Sequence, residues 1–321
     1  MGLVPVLVGN RFANVEQRRK DLRFPLPDHF PERLEGRRVE ALDRRAKYLL
    51  ARLDDGEVLV MHLGMTGRFS IDRGAQVARS AVAQKDKGAQ VARSAVAQKD
   101  RGAQVARSAV AQENKLNGAT RLPGMKRRVP KHEHIVFHLA DGTAVRYADA
   151  RRFGYMDLIP SADLETHALF RRLGVEPLSE GLTPAWLGSK LKGKTAPIKP
   201  ALVDQRLIAG IGNIYACEAL YRAGISPLRR AGTLATSTGK PTKKAEALVE
   251  AIKAVLGDAV KAGGSSLRDY VRADGRLGRF QHSFKVYGKE GKPCRKKGCR
   301  GTVRRIVQGG RSTFYCPSCQ R

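Results

Sequence analysis

CRKKGCRGTVRRIVQGGRSTFYCPSCQR, residues 294–321, is the stretch that decides how this chain is read. Two cysteine pairs, Cys294/Cys299 and Cys316/Cys319, stand sixteen residues apart. Two turns that each offer two thiolates, joined by a hairpin, make a tetrahedral pocket for one structural zinc ion. The segment between them supports the hairpin. Val303, Ile306 and Val307 alternate with polar residues, Gly309-Gly310 marks a turn, and Thr313, Phe314 and Tyr315 resume the strand. A disulfide pair or four free thiols are the alternatives. The ribbon-like spacing, and the lack of a signal-peptide pattern at Met1 and beyond, favour zinc. The same hairpin is dense in Arg and Lys, which directs attention to nucleic acid.

The rest of the chain agrees with that charge. Among 321 residues, 60 Lys and Arg face 30 Asp and Glu, a formal net charge of +30 that is spread along the whole length. Such an excess implies a polyanionic partner, DNA or RNA before a membrane. No run of apolar residues is long enough to span a bilayer. Of five cysteines, only Cys217 lies outside the zinc set.

Working back towards the start, the pattern divides into three parts: 1–160, 161–283 and 284–321. The first is β-rich. RAKYLLARL (45–53) and EVLVMHL (57–63) flank an Asp54-Asp55-Gly56 turn, and HIVFHL (134–139), TAVRYAD (143–149) and YMDLI (155–159) continue the strand pattern. It is interrupted at 74–115 by three near-identical copies of GAQVARSAVAQKDK, starting at Gly74, Gly88 and Gly102. Their period is too short for a solenoid, and a surface insertion is expected. From 161 the spacing turns helical: a helix over 162–173 ending at Gly174, a helix over 200–209, a Gly210-Ile211-Gly212 turn, a helix from Asn213 with that residue as N-cap, and a long helix over 242–262. The pair around the glycine turn reads as a helix-turn-helix unit whose exposed amides suit a DNA phosphate. The fold class expected is α+β.

RRAKYLL, HLGMTGR, RYADARRFG, LVDQRLIAGIGNIYACEALYRAGISP, KVYGKEGKPC and GRSTFYCPSCQR together resemble the formamidopyrimidine-DNA glycosylases, relatives of endonuclease VIII. The resemblance covers the chain outside the repeats. It implies an N-terminal β-sandwich, a helix-two-turn-helix domain and a C-terminal zinc β-hairpin, with double-stranded DNA held in the cleft between them. It implies a bacterial-type cytoplasmic monomer that flips an oxidised purine out of the duplex, or binds an abasic site, in base-excision repair. The family uses an N-terminal proline amine to attack the sugar, then cuts the strand by β- and δ-elimination.

Residue by residue, the resemblance makes Lys47 a proton donor and phosphate contact beside the scissile site. Met65, Arg151 and Phe153 match the residues that fill the gap left by the flipped base. His132 and Lys194 match DNA contacts, Asn213 a phosphate contact at a helix start, and Arg311 the arginine that grips the phosphate and supports elimination. The loop from about 265 to 284 resembles the segment that covers a flipped 8-oxoguanine.

One departure accompanies the match. The family begins with a Pro–Glu pair as nucleophile and acid, whereas MGLVPVLVG (1–9) matches the family further in. The catalytic pair and most of the first helix are therefore expected to be absent, and Pro5, being internal, carries an amide nitrogen that cannot attack as an amine. Two expectations follow: an ordinary enzyme whose start lies upstream, or a protein that binds lesions without cutting. A generic zinc-ribbon module leaves HLGMTGR and GIGNIYA unexplained.

Overall fold

A computed structural model of the chain describes residues 2–73, 131–266, 273 and 275–321. The repeats at 74–115 lie outside the described residues, as does part of the 265–284 loop.

Eight strands build two antiparallel sheets. They are β1 (Phe12–Gln17), β2 (Val39–Arg45), β3 (Tyr48–Leu53), β4 (Glu57–His62), β5 (Arg68–Arg73), β6 (Glu133–Leu139), β7 (Thr143–Ala148) and β8 (Tyr155–Pro160). One sheet has the order β2-β3-β4-β8 and the other β1-β6-β7-β5. Short helices α1 (Val4–Leu7) and α2 (Phe30–Leu34) pack beside them. Phe12, Phe30, Leu59, Met61, Phe137, Tyr147 and Met156 close the core of the sandwich.

YLLARL and EVLVMH read as nearly continuous apolar runs because both faces of these strands are covered. The alternate residues Leu50, Val58, Val60 and Ile159 face away from the sandwich and meet Leu164 and Phe170. The segment 161–173 therefore serves as a lid on the sheet. The helix expected there is not formed: a 3-10 turn at Ser161–Asp163 leads into successive turns. Its apolar spacing serves contact with the sheet's outer face, which turns satisfy as well as a helix does.

Among the described residues four helices follow: α3 (Pro184–Leu191), α4 (Ile198–Val203), α5 (Asn213–Arg222) and α6 (Lys243–Lys261). Thr183 and Thr242 cap α3 and α6, accepting hydrogen bonds from Trp186 N and Ala245 N. Leu187, Leu191, Ile198, Leu202, Leu220, Leu248 and Ile252 form a second core, each such side chain worth about 2 kcal/mol when fully buried. The N-cap of α5 is Gly212, not Asn213; Asn213 is the first helical residue, and its side chain leaves the helix altogether.

The C-terminal hairpin pairs β9 (Arg304–Gln308) with β10 (Arg311–Tyr315) across Gly309-Gly310, both at positive φ. The Glu218 carboxylate of α5 accepts hydrogen bonds from the backbone N–H groups of Lys285, Val286 and Tyr287, and so ties the approach to the hairpin to the helical core.

Candidate nucleic-acid interface and metal centre

The four thiols of Cys294, Cys299, Cys316 and Cys319 lie within 4.8 Å of one another. The Cys294–Cys319 and Cys299–Cys316 sulfur separations are both 3.7 Å. That is far too long for a disulfide. It matches the edge of a tetrahedron with zinc–sulfur bonds of about 2.3 Å. Backbone N–H groups of Lys296 and Gly301 point at Cys294 Sγ and Cys299 Sγ, as they do where a thiolate needs its charge balanced. The site therefore fits one zinc ion held by these cysteines.

One further group reaches the cluster from α5: the Tyr221 hydroxyl donates to Cys294 Sγ at 3.3 Å. Outer hydrogen bonds of this kind tune metal affinity. Tyr221→Phe removes only the hydroxyl and is expected to speed zinc loss to a chelator about tenfold; an unchanged rate would assign Tyr221 to packing alone.

The hairpin is pinned to the start of α5. Asn213 Nδ2 donates to Ser312 O at 2.8 Å, with the Tyr287 hydroxyl at 3.5 Å. Ser312 follows Arg311, so the same contact presents Arg311 next to the N-terminus of α5. Across from them lies the β2–β3 turn, with Ala46 at positive φ. Gly210, also at positive φ, packs on that turn: a Cβ there would come within 3.4 Å of the Ala46 backbone. Lys47 follows, its Nζ 3.9 Å from where a Cβ on Gly212 would be. Lys47, Asn213 and Arg311, on three separate elements, therefore converge.

Electrostatics report the same convergence. Lys47 is open to solvent but surrounded by protein, as on the floor of a cleft; that crowding, and then the Arg311 guanidinium, lower its pKa. Neither Lys47 nor Arg311 has an acidic partner in the ion pairs among the described residues.

Two residues of this cluster were not singled out from sequence. His62, at the end of β4, has its pKa lowered by burial, then by Lys47 and Arg23. Its Nδ1 accepts the Gly64 N–H at 3.0 Å, and its ring packs tilted against that of Tyr48, with centres 5.0 Å apart. Lys199, read only as part of a basic loop, is 1% exposed; burial lowers its pKa, Cys217 opposes and Arg311 adds to the lowering. Burial of a lysine beside Arg311 leaves no trace in sequence periodicity.

His62 gives a pH prediction. The free fold binds fewer protons at His62 than the unfolded chain does, so this stability is present above pH 6.5 and is lost as pH falls below it. A polyanion in the cleft raises the His62 pKa again. DNA binding should therefore take up a proton and tighten as pH falls from about 7.5 to 5.5, and His62→Gln should flatten that dependence. Binding that weakens on acidification, or an unchanged slope in the variant, would contradict it.

Met65 and Phe153 are 67% and 41% exposed, so neither is core. Arg151 stacks on Phe153 with its guanidinium carbon 4.6 Å from the ring centre. All three residues are exposed, Met65 in the loop after β4 and Arg151 and Phe153 in the loop after β7. His132 is exposed just before β6, its carbonyl accepting the Asp149 N–H. Lys194 stands exposed in the loop after α3, its carbonyl accepting the Gly232 N–H. Among the described residues, no hydrogen bond or ion pair joins either of them to the Lys47 cluster.

No helix among the described residues is long and apolar enough to cross a membrane. Three family models cover most of the chain: the formamidopyrimidine-DNA glycosylase N-terminal domain over 1–156, the H2TH domain of the same enzymes over 173–271, and the zinc finger found in FPG and IleRS over 291–321. A formamidopyrimidine-DNA glycosylase of Beijerinckia indica is 52% identical over 320 residues, covering 100% of this chain and 96% of the relative. Two solved structures are similar over 99% of this chain and 95% of theirs. One is a Lactococcus lactis FPG variant with Fapy-dG-containing DNA, at 28% identity and a TM-score of 0.72. The other is Lactococcus lactis Fpg with DNA containing an abasic site, at 27% and 0.73. The sandwich, the helical unit and the four-cysteine hairpin, matched in order along the chain, place this protein in the formamidopyrimidine-DNA glycosylase family, the DNA glycosylases and AP lyases of base-excision repair.

Proposed function

We propose that this chain removes oxidised purines, 8-oxoguanine and formamidopyrimidines, from duplex DNA and nicks the strand by β- and δ-elimination. The observation that carries the reading is the meeting of Lys47 and Arg311 beside the start of α5, without acidic partners among the described residues. Like charges held together are costly in the free protein, and a phosphate backbone relieves that cost. Asn213 adds a donor: of the two Nδ2 hydrogens one is held by Ser312 O at 2.8 Å, and the other makes only a long contact with the Tyr287 hydroxyl at 3.5 Å that a phosphate oxygen can replace.

In this reading Lys47, Asn213 and Arg311 bracket the phosphates around the damaged nucleotide, and the lowered pKa of Lys47 makes its ammonium a readier proton donor to the opening sugar. The Arg311 charge stabilises the phosphate leaving group in δ-elimination. Met65, Arg151 and Phe153 occupy the gap left by the flipped base, and His132 and Lys194 contact the DNA on either side. All these groups come from one chain, so one copy suffices.

The test is incubation with a duplex bearing one 8-oxoguanine, with and without borohydride. Expected are base release, a cut strand ending in phosphate on both sides of the gap, and a protein–DNA adduct trapped by reduction of the Schiff base, with peptide mapping of the adduct naming the amine that displaces the base, a role the internal Pro5 does not fill. Tight binding to the lesion without release or trapping would instead mark a lesion-binding protein that does not cut.

A further inference from the structure

Met65 and the Arg151–Phe153 pair sit on different loops, one after β4 and one after β7, yet the two loops are joined beneath the surface. Asp149 is fully buried, at 0% exposure. Its Oδ2 accepts hydrogen bonds from Gly154 N at 2.7 Å and from the Tyr147 hydroxyl at 3.2 Å. Its Oδ1 accepts from the Thr66 hydroxyl. Thr66 Oγ1 in turn accepts the Arg151 N–H at 3.1 Å. The backbone of Asp149 is held as well, its N–H donating to His132 O and its carbonyl meeting His134 Nε2 at 2.8 Å.

Close backbone approach completes the joint. A Cβ on Gly64 would lie 2.4 Å from the Phe153 carbonyl, and one on Gly154 would lie 1.7 Å from the Tyr147 hydroxyl. Next to these, Arg152 is held at φ +56, a conformation that costs a non-glycine residue energy and persists only where its surroundings impose it.

We infer that Thr66 and Asp149 are positioning residues: the chain Arg151 N–H, Thr66 hydroxyl, Asp149 carboxylate, Gly154 N–H locks the two loops together, so that Met65, Arg151 and Phe153 enter the DNA stack as one rigid wedge. A wedge set in advance spends no ordering entropy when it inserts. Its gain appears only where there is a gap to fill, so the clamp sets preference for damaged over intact DNA. This inference rests on the wedge role proposed above for those three residues.

The test uses the full chain and two duplexes, one intact and one carrying a tetrahydrofuran abasic analogue opposite 2-aminopurine. Thr66→Val keeps the side chain's shape and removes the hydroxyl. It is expected to lower the ratio of affinities, abasic over intact, about tenfold and to remove most of the 2-aminopurine fluorescence change. Thr66→Ser is expected to restore both. A merely structural role lowers the folded fraction, which weakens both duplexes equally and leaves the ratio alone. Should the valine variant not fold, Thr66→Ala leaves room for a water to bridge Asp149 and Arg151 and is expected to fall between wild type and valine. A ratio and fluorescence change unaltered in the valine or alanine variant would overturn the clamp. Met65→Ala separates the two levels: if it lowers the ratio while the Thr66 variants do not, the wedge stands and the clamp fails; if it too is silent, the wedge reading itself fails.

Discussion

Cys316→Ser is expected to release the zinc and unfold the hairpin while the remainder of the protein stays folded. Few hairpin residues are buried, chiefly Val303, Thr313, Tyr315, Gln320, Cys294 and Cys316, so its own apolar contacts are too few to hold it. Zinc contributes apparent binding energy on the order of 10 kcal/mol in modules of this kind. The sandwich core and the helical core contain no hairpin residue and should keep their own cooperative unfolding. DNA binding should fall by about a hundredfold or more, because the hairpin delivers Arg311 and fixes Asn213 through Ser312 O. Metal content and affinity measured together check this. Zinc retained at full stoichiometry would remove Cys316 from the ligand set.

Arg311→Ala is the second large effect. The side chain is exposed at the start of β10, so its removal should leave stability nearly unchanged. Loss of one phosphate contact should weaken binding about tenfold and reduce the steepness of the log affinity against log salt plot by about 0.9. A second consequence follows from its place beside Lys47. Removing the guanidinium raises the Lys47 pKa towards its ordinary value, which makes the ammonium a poorer proton donor. The alkaline limb of the cleavage rate should therefore move to higher pH in the variant. An unchanged salt slope would take Arg311 out of the DNA contact.

The parts of the fold legible in the sequence were those with strong local signatures. The cysteine spacing foretold the thiol cluster, and the glycine pair at 309–310 foretold the hairpin turn. Apolar, partly alternating runs placed β3, β4, β6, β7 and β8, and α6 emerged within a residue of its expected ends. The misreadings share a cause, since tertiary contact overrode local pattern. Leu164 and Phe170 are spaced as on a helix but answer to the outer face of a sheet. Asn213 has the chemistry of an N-cap, yet its amide is committed to the hairpin, a partner ninety-nine residues away.

The same reason divides the site. Motifs pointed to Lys47, Asn213 and Arg311, and the structure brings them together. His62 ends a nearly continuous apolar strand that gave no sign of it, and Lys199 lies in a run of lysines where nothing marks the buried one. Asp149 and Thr66 sit within motifs already noted, but their hydrogen bonds join segments eighty-three residues apart, which no local reading can see.

Cleft and wedge are tested together by the affinity of the full chain for two duplexes, one intact and one with a tetrahydrofuran abasic analogue, between about 50 and 200 mM salt. Salt dependence should be steep for both, and binding tighter to the abasic duplex at every salt concentration, because cationic side chains hold the backbone while Met65, Arg151 and Phe153 gain only where a base is missing. Equal affinities for the two duplexes, or binding indifferent to salt, would contradict this.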